Sequence, residues 1–137
     1  MIHETMVTTR FCETDAMGHI NNVNFFVYLE VARVDFLLDV GVCRSVDTWD
    51  FVLATIKCDF KKQMHARQSI KVTTQVLKIG TKSVTLKQLI TNTDGEILGI
   101  SESVIVRFDK KSQATQPLTE EIITKLNSYL DLDGTHP

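Results

Sequence analysis

The sequence of 137 residues lacks the marks of several large classes of protein. It contains no run of about 18 apolar residues and begins with no charged-then-apolar leader, so neither a membrane-spanning helix nor a signal peptide is expected. No linker, low-complexity segment or internal repeat interrupts it. We therefore predict a single cytoplasmic domain over residues 1–137, with a flexible tail over about residues 131–137.

Cysteine and histidine are too few and too widely spaced to build a disulfide framework or a metal site. Cys12, Cys43 and Cys58 are odd in number and form no Cys-x-x-Cys pair. The histidines show no His-x-x-x-His or His-Glu-x-x-His spacing. We predict no metal, and we interpret the cysteines as small apolar filler.

Charge of neither sign is in large excess. The formal net charge is -2, and a composition of 43% apolar and 23% charged residues is ordinary for a globular domain. Because there is no net basic field, the sequence predicts no nucleic-acid partner. Insertion into a membrane is not expected either.

The longest periodic segment, residues 23–40, predicts one long helix. It contains no Gly or Pro, and Gly41 follows where a helix C-terminal cap is expected. At 100° per residue the polar side chains form one narrow stripe, while apolar side chains occupy most of the circumference. The stripe consists of Asn24, Tyr28, Asp35 and Asp39. A helix this apolar is predicted to be wrapped by the rest of the chain.

Two charged residues fall on the apolar side of this helix. Glu30 and Arg33 are three residues apart, so their side chains can face each other across one turn. Burial of a charge usually requires a partner, which favours a partly buried ion pair over a direct chemical role.

Alternating patterns predict strands around the helix. Asp94-Gly95 is a short hairpin signal and Gly80-Thr81-Lys82 a second turn, so consecutive strands are predicted to pair antiparallel. Residues 119–130 form a plausible short helix, because acidic residues open it and apolar residues share one face. The strands are predicted at about residues 3–11, 51–60, 69–79, 83–93 and 96–108. This arrangement is an α+β layer with a helix on an antiparallel sheet.

Three motifs give this arrangement a family resemblance over about residues 5–118. The segment Arg10–Val23 reads R-F-x-E-T-D-A-M-G-H-I-N-N-V, and Tyr28–Arg33 reads Y-L-E-V-A-R. A third motif, I-G-T-K-S-V-T-L, covers Ile79–Leu86. Together they resemble the hydroxybenzoyl-CoA thioesterase family of the hotdog-fold superfamily.

The resemblance implies a hotdog fold, in which a curved five-stranded antiparallel sheet wraps around one long central helix and a short C-terminal helix follows. It also implies a homodimer or homotetramer whose sheets join edge to edge and whose active sites lie at the subunit interface. Relatives of this kind hydrolyse acyl-CoA, or acyl groups on acyl carrier protein. No cofactor is implied, because CoA is part of the substrate.

The family's catalytic carboxylate matches Asp15. A thioester has a good leaving group, so hydrolysis mainly requires an oxygen nucleophile and stabilisation of an oxyanion. A carboxylate can attack directly or deprotonate a water, so Asp15 is predicted as nucleophile or general base. The alternative for an Asp beside a glycine is a turn or cap residue.

The residues after Asp15 are predicted to complete the site. Gly18 lets the backbone pass close to a substrate, and the amides of Asn21, Asn22 and Val23 open a helix whose first N–H groups suit an oxyanion. The two asparagines are also good cap residues. His19 could orient Asp15 or contact substrate, or it could satisfy a loop carbonyl.

Outside this segment the resemblance indicates two further contacts. It places the turn at Ser83 near the pantetheine arm of CoA, although Ser83 could be an ordinary strand residue. The basic stretch 61–67 could receive CoA phosphates or be a solvated loop. Relatives often carry proline, glycine and aspartate in this loop, where this chain has Gln63, Arg67 and Gln68.

An acyl-CoA thioesterase is the function that the sequence favours. The alternative from another class is a catalytically silent hotdog module that binds an acyl thioester or serves in assembly. A hydratase on the same fold is less favoured, because its Asp-x-Asn-Pro-x-His pattern is absent between Asp15 and His19.

Overall fold

The computed structural model describes residues 1–132. Nine elements follow one another along the chain: β1 His3–Thr8, a 3-10 turn Phe11–Glu13, α1 Asn22–Asp39, β2 Phe51–Phe60, β3 Ser69–Ile79, β4 Ser83–Asn92, β5 Ile97–Asp109, β6 Ala114–Thr115 and α2 Glu120–Asn127. The predicted tail falls largely outside the described residues. Its first residue, Asp131, donates its N–H to the carbonyl of Val76 at 2.9 Å.

The strands form one antiparallel sheet in the order β1-β3-β4-β5-β2, and β6 adds a two-residue pairing to β5. This confirms the predicted α+β sheet and helix arrangement. The prediction that consecutive strands pair is correct for β3 with β4 and for β4 with β5, but it is wrong for β2. No hairpin turn joins β2 to β3, and β2 instead pairs with the outer edge of β5.

Helix α1 begins and ends within one residue of the predicted bounds. The Asn21 side chain caps its start by accepting the Val23 N–H at 3.1 Å, and Gly41 takes a φ of +83° just after its end. Its buried side chains, such as Leu29 and Phe36, pack on the inner face of the sheet. The helix is therefore positioned across the sheet with its N-terminus beside the segment that carries Asp15.

Within residues 1–132 the sheet covers most of the helix but leaves one side of it exposed. Val23, Val27 and Val31 lie four residues apart and are exposed. Tyr28 was predicted to lie on the polar stripe of the helix, but it is buried, with 2% of its surface exposed. Its hydroxyl donates to Glu13 at 2.7 Å, which allows a polar side chain to be buried.

The predicted ion pair between Glu30 and Arg33 is present, with 4.0 Å between Oε2 and Nη2. The two side chains are unequally buried, because the Arg33 side chain is 7% exposed and that of Glu30 is 70% exposed. Burial holds the pKa of Arg33 below its ordinary value, and the charge of Glu30 opposes that shift.

Candidate active site

Asp15 lies in a tight loop between Thr14 and Ile20, which form an antiparallel bridge. Within the loop the Asp15 N–H donates to the His19 carbonyl at 2.7 Å, and Gly18 turns the chain with a φ of +82°. This φ is one that glycine adopts without strain, so the predicted backbone role of Gly18 has a structural basis.

The two oxygens of the Asp15 carboxylate have different surroundings. Oδ1 accepts the backbone N–H of Met17 at 2.8 Å and that of His19 at 3.2 Å. Oδ2 accepts no hydrogen bond within residues 1–132, and the residue is exposed. The carboxylate is thus both fixed by its own loop, as a turn aspartate is, and open to solvent through one oxygen.

A second loop, residues 61–68, holds the Asp15 loop in place. Ile20 donates its N–H to the Met64 carbonyl at 2.8 Å, and His19 and His65 form a bridge between the loops. Their rings lie 5.2 Å apart between centroids, with planes inclined by 59°. His65 is therefore a neighbour of the site that sequence reasoning missed, because the pairing joins residues 46 positions apart and leaves no local signal.

Two residues that the sequence analysis singled out in this loop determine its local shape. Arg67 adopts a φ of +60°, a conformation that glycine takes most readily. The Gln68 side chain accepts the His65 N–H at 3.0 Å. Lys62 forms an ion pair with Glu96, so part of the basic stretch already has an acidic partner.

A buried carboxylate, Glu13, connects the Asp15 loop to helix α1. Its Oε1 accepts from the Tyr28 hydroxyl at 2.7 Å and from the Arg10 N–H at 2.8 Å. Its main-chain carbonyl accepts from the Asn21 N–H at 2.9 Å and the Asn24 side chain at 3.1 Å. Because these bonds reach both sides of the loop, Glu13 fixes where Asp15 stands relative to the helix start.

The hydrogen bonds around Glu13 determine its charge. Burial alone would raise the pKa of this carboxyl, but the bonds from Arg10 and Tyr28 together outweigh burial and lower it. Burial, followed by the bond to Glu13, raises the pKa of Tyr28. Glu13 is therefore a carboxylate at neutral pH and Tyr28 a neutral phenol.

Fewer backbone N–H groups at the helix start are free to bind an oxyanion than the sequence suggests. The Asn21 N–H donates to Glu13, and the Val23 N–H donates to the Asn21 side chain. No acceptor for the Asn22 N–H is found in the part of the chain that the structure describes. Of the three amides predicted to face an oxyanion, Asn22 is thus the donor that this chain leaves unused.

Ser83 lies at the other end of the sheet. β3 starts after the His65 loop and ends at Ile79, and ten steps of about 3.3 Å make about 33 Å of strand. Ser83 follows the next turn, where its carbonyl accepts the Gly80 N–H at 2.8 Å. A single chain therefore does not bring Ser83 and Asp15 together.

Neither a metal site nor a membrane-spanning helix is found in residues 1–132. This part of the chain contains no group of three or more His, Cys, Asp or Glu that could hold a metal ion. None of its helices has the length and apolarity needed to cross a bilayer. Burial raises the pKa of Cys43 to about 12 and that of Cys58 to about 11, so neither is a ready nucleophile.

Comparison with known proteins identifies relatives over most of the chain. A family model described as the thioesterase-like superfamily matches residues 9–126. The long-chain acyl-CoA thioesterase FadM of Escherichia coli (strain K12) is 26% identical over 130 residues, which are 93% of this chain and 98% of that protein.

Solved structures agree with this result. A predicted thioesterase from Bacillus stearothermophilus superposes with a TM-score of 0.87 at 28% identity, covering 95% of this chain and 97% of that one. A thioesterase from Thermus thermophilus, solved in complex with coenzyme A and Zn, gives a TM-score of 0.80 at 25% identity. That match covers 92% of each chain.

Proposed function

Because the chain belongs to the thioesterase-like superfamily and has the predicted hotdog fold, we propose that it hydrolyses an acyl-CoA thioester to the free acid and CoA-SH. The observation that carries the proposal is the Asp15 carboxylate, which is oriented through Oδ1 by two backbone amides and open at Oδ2. A reacting water or thioester carbon can approach that second oxygen without breaking an existing bond.

Hydrolysis requires one bond to form and one to break at the thioester carbon. Asp15 either takes a proton from water as water attacks, or attacks and forms an anhydride that water then cleaves. The charge that develops on the carbonyl oxygen needs a donor, and the unused Asn22 N–H at the helix start is suited to this task. In either route the tetrahedral intermediate collapses with loss of the thiolate, and in the anhydride route this happens before water attacks. The thiolate leaves readily because thiolates are much weaker bases than alkoxides, and it then takes up a proton.

His19 and His65 complete the polar surroundings in this proposal. Their paired rings lie next to the loop that holds Asp15, and the His19 N–H is one of the two amides that fix Oδ1. We assign His19 to orientation of the Asp15 loop. Asn21 acts as the helix cap, and the Val23 amide serves that cap rather than the substrate.

The active site is proposed to be completed by a second copy of the chain. β2 begins at Phe51, near the Ser83 end of the sheet, and finishes at Phe60, which packs on Phe25 at the helix start. If two β2 edges pair antiparallel, the start of one lies beside the end of the other. That arrangement would bring the partner's sheet end, with its Ser83 turn, toward Asp15.

The relatives support CoA as the thiol carrier. The Thermus thermophilus thioesterase is described as a complex with coenzyme A, and FadM as a long-chain acyl-CoA thioesterase. We propose CoA for this chain on that basis, with an acyl pocket formed by apolar side chains of α1 and the sheet. The cytoplasmic location stays a prediction.

A panel of thioesters tests the function. We expect saturable thiol release from at least one of a series of short, long-chain and aromatic acyl-CoAs, followed with a thiol-reactive chromophore. If thiol were released only from acyl carrier protein substrates, the proposed thiol carrier would be wrong but the proposed hydrolysis would stand. Tight binding of acyl-CoA without release from any substrate would contradict hydrolysis and favour the silent binding module.

A further inference from the structure

Strand β2 directs apolar side chains toward α1, but the helix leaves them partly uncovered. Leu53 lies opposite the buried Ile105 of β5, and residues opposite each other in an antiparallel pair point to the same face. By the same pairing Phe60 lies opposite the buried Gly99. Leu53 and Phe60 are nevertheless 44% and 43% exposed, whereas Ile90, on the same face of β4, is fully buried. The helix therefore covers the central strands and leaves a groove above β2.

The side of α1 that borders this groove is apolar as well. Phe26 at the helix start packs on Phe60, with 6.0 Å between ring centroids. About two turns further along the helix, Val34 lines a cavity together with Leu53. Val27 is exposed and lies seven residues before Val34, which places both on one side of the helix. The groove thus runs between apolar side chains of α1 and β2.

The groove leads from the candidate site to an apolar end. β2 ends beside the helix start, where the Asn22 N–H has no acceptor in the described part of the chain. At the opposite end lies a cavity of about 140 Å³, bounded by Trp49 and Phe51 where β2 begins. Apart from the ion pair of Glu30 and Arg33, the side chains that line this cavity are apolar or aromatic. An elongated apolar group attached to the reacting carbonyl fits such a course.

We propose that the groove holds the acyl chain of the substrate and that the preferred substrate is an unbranched acyl-CoA of about 12–14 carbons. Asn22 and Val34 are twelve positions apart, which is about 18 Å along the helix. An extended hydrocarbon chain advances about 1.3 Å per bond, because its C–C bonds of about 1.5 Å follow a zigzag. With its carbonyl oxygen at the Asn22 N–H, a chain of this length places its last carbons in the cavity. The inference rests on the proposed hydrolysis and names its substrate class.

Burial of apolar surface supplies the dependence on chain length. Each methylene group that leaves water for the groove strengthens binding by about three- to fourfold. Carbons beyond the cavity gain nothing further, and an aromatic acyl group leaves the far end empty. Pairing of two β2 edges, as proposed above, uses main-chain groups and leaves the inward side chains of β2 free to contact the acyl chain.

Binding without turnover measures this dependence directly. Asp15→Asn is titrated calorimetrically with CoA thioesters of unbranched acids, because this variant retains the groove but lacks the carboxylate. We expect Kd to fall by about three- to fourfold per methylene group and to level off at about 12–14 carbons. The kcat/KM of the wild type should follow the same order over the same series.

Leu53→Trp fills the far end of the groove. Because Leu53 is partly exposed, a larger side chain is accommodated without repacking the core. We expect kcat/KM for a substrate of about 14 carbons to fall by about 50-fold, while that for a substrate of about 4 carbons changes by less than about twofold. Leu77→Trp on β3 is the matched control, because Leu77 is also partly exposed, at 36%, and does not line the cavity. The chain-length profile of the control should equal that of the wild type.

Leu53→Ala tests the same position in the opposite direction and covers the case in which Leu53→Trp does not fold. The smaller side chain lengthens the apolar end, so the chain length at which kcat/KM is greatest should increase by about two carbons. Leu77→Ala is the control for this variant and should leave the profile unchanged.

The outcomes separate the groove from the chemistry. A Kd that does not depend on chain length, or an equal loss of kcat/KM at every length in Leu53→Trp, would overturn the inference. Hydrolysis of short or aromatic acyl-CoAs alone would also overturn it and leave the proposed hydrolysis standing. Binding that depends on chain length, without release of thiol from any substrate, would overturn hydrolysis and leave the groove.

Discussion

Asp15→Asn is expected to lower kcat/KM for thioester hydrolysis by about 100-fold or more, because the amide can neither attack the carbonyl nor accept a proton from water. Asparagine is the informative replacement. Its side-chain oxygen can still accept the N–H groups of Met17 and His19, so the loop should keep its shape. The measurement is thiol release at a series of concentrations of the best acyl-CoA in the panel.

Asp94→Asn is the matched control for this variant. Asp94 is also an exposed aspartate in a tight turn, but the turn joins β4 to β5 and lies outside the site. We expect its kinetics and melting temperature to equal those of the wild type. Full activity in Asp15→Asn would remove Asp15 from catalysis and leave it a turn residue.

Glu13→Ala is expected to destabilise the protein by about 2–4 kcal/mol, because it removes charge-assisted hydrogen bonds and leaves the buried Tyr28 hydroxyl without its acceptor. A loss of this size corresponds to a fall in Tm of roughly 10 °C for a domain of this length. Urea unfolding followed by circular dichroism measures the change. Activity should fall as well, since Glu13 connects the Asp15 loop to α1.

Two further variants separate how much the bonds from Tyr28 and from Arg10 each contribute to the loss of stability in Glu13→Ala. Tyr28→Phe removes the buried hydroxyl while Glu13 keeps the bonds from Arg10, so we expect a smaller loss, about 1 kcal/mol. Arg10→Met removes an exposed guanidinium and should change stability little. If Glu13→Ala were as stable as Arg10→Met, the buried network would not support the loop.

The pH dependence of Glu13→Ala has a defined sign. The folded state lowers the pKa of the Glu13 carboxyl below its ordinary 4.5, so the unfolded chain binds a proton more readily. The stabilisation by Glu13 is therefore complete above that value and is lost as pH falls through the folded pKa. The difference in unfolding free energy between wild type and variant should shrink over that acidic range and stay constant near neutrality.

Much of the fold follows from local pattern. The helix, β2 and β3 begin and end within one residue of their predicted bounds, because alternation, helical periodicity and Gly or Asn caps are encoded in neighbouring residues. Local pattern fails at the end of β1 and misses β6 altogether. β1 stops at Thr8 because a 3-10 turn follows at Phe11–Glu13, and the short β6 carries too few residues to show a period.

The parts of the candidate site that the sequence could indicate are those that the chain carries in one segment. The Asp15 loop and the helix cap are contiguous, so their proximity needed no tertiary information. Two contacts join residues that are distant in sequence, namely Glu13 with Tyr28 and His19 with His65. The sequence does not distinguish a buried glutamate from an exposed one. Their burial is decided by what packs around them.

The sequence by itself determined the helix, the strands, the family and the carboxylate on which the proposed chemistry depends, since each is recorded in residues close together along the chain. Only the tertiary structure decided that β2 pairs with β5, that Ser83 stands a strand's length from Asp15, and that Arg33 is buried beside an open edge. The physical reason is that strand order and burial arise from non-local packing, in which one residue's surroundings are supplied by segments far from it in sequence.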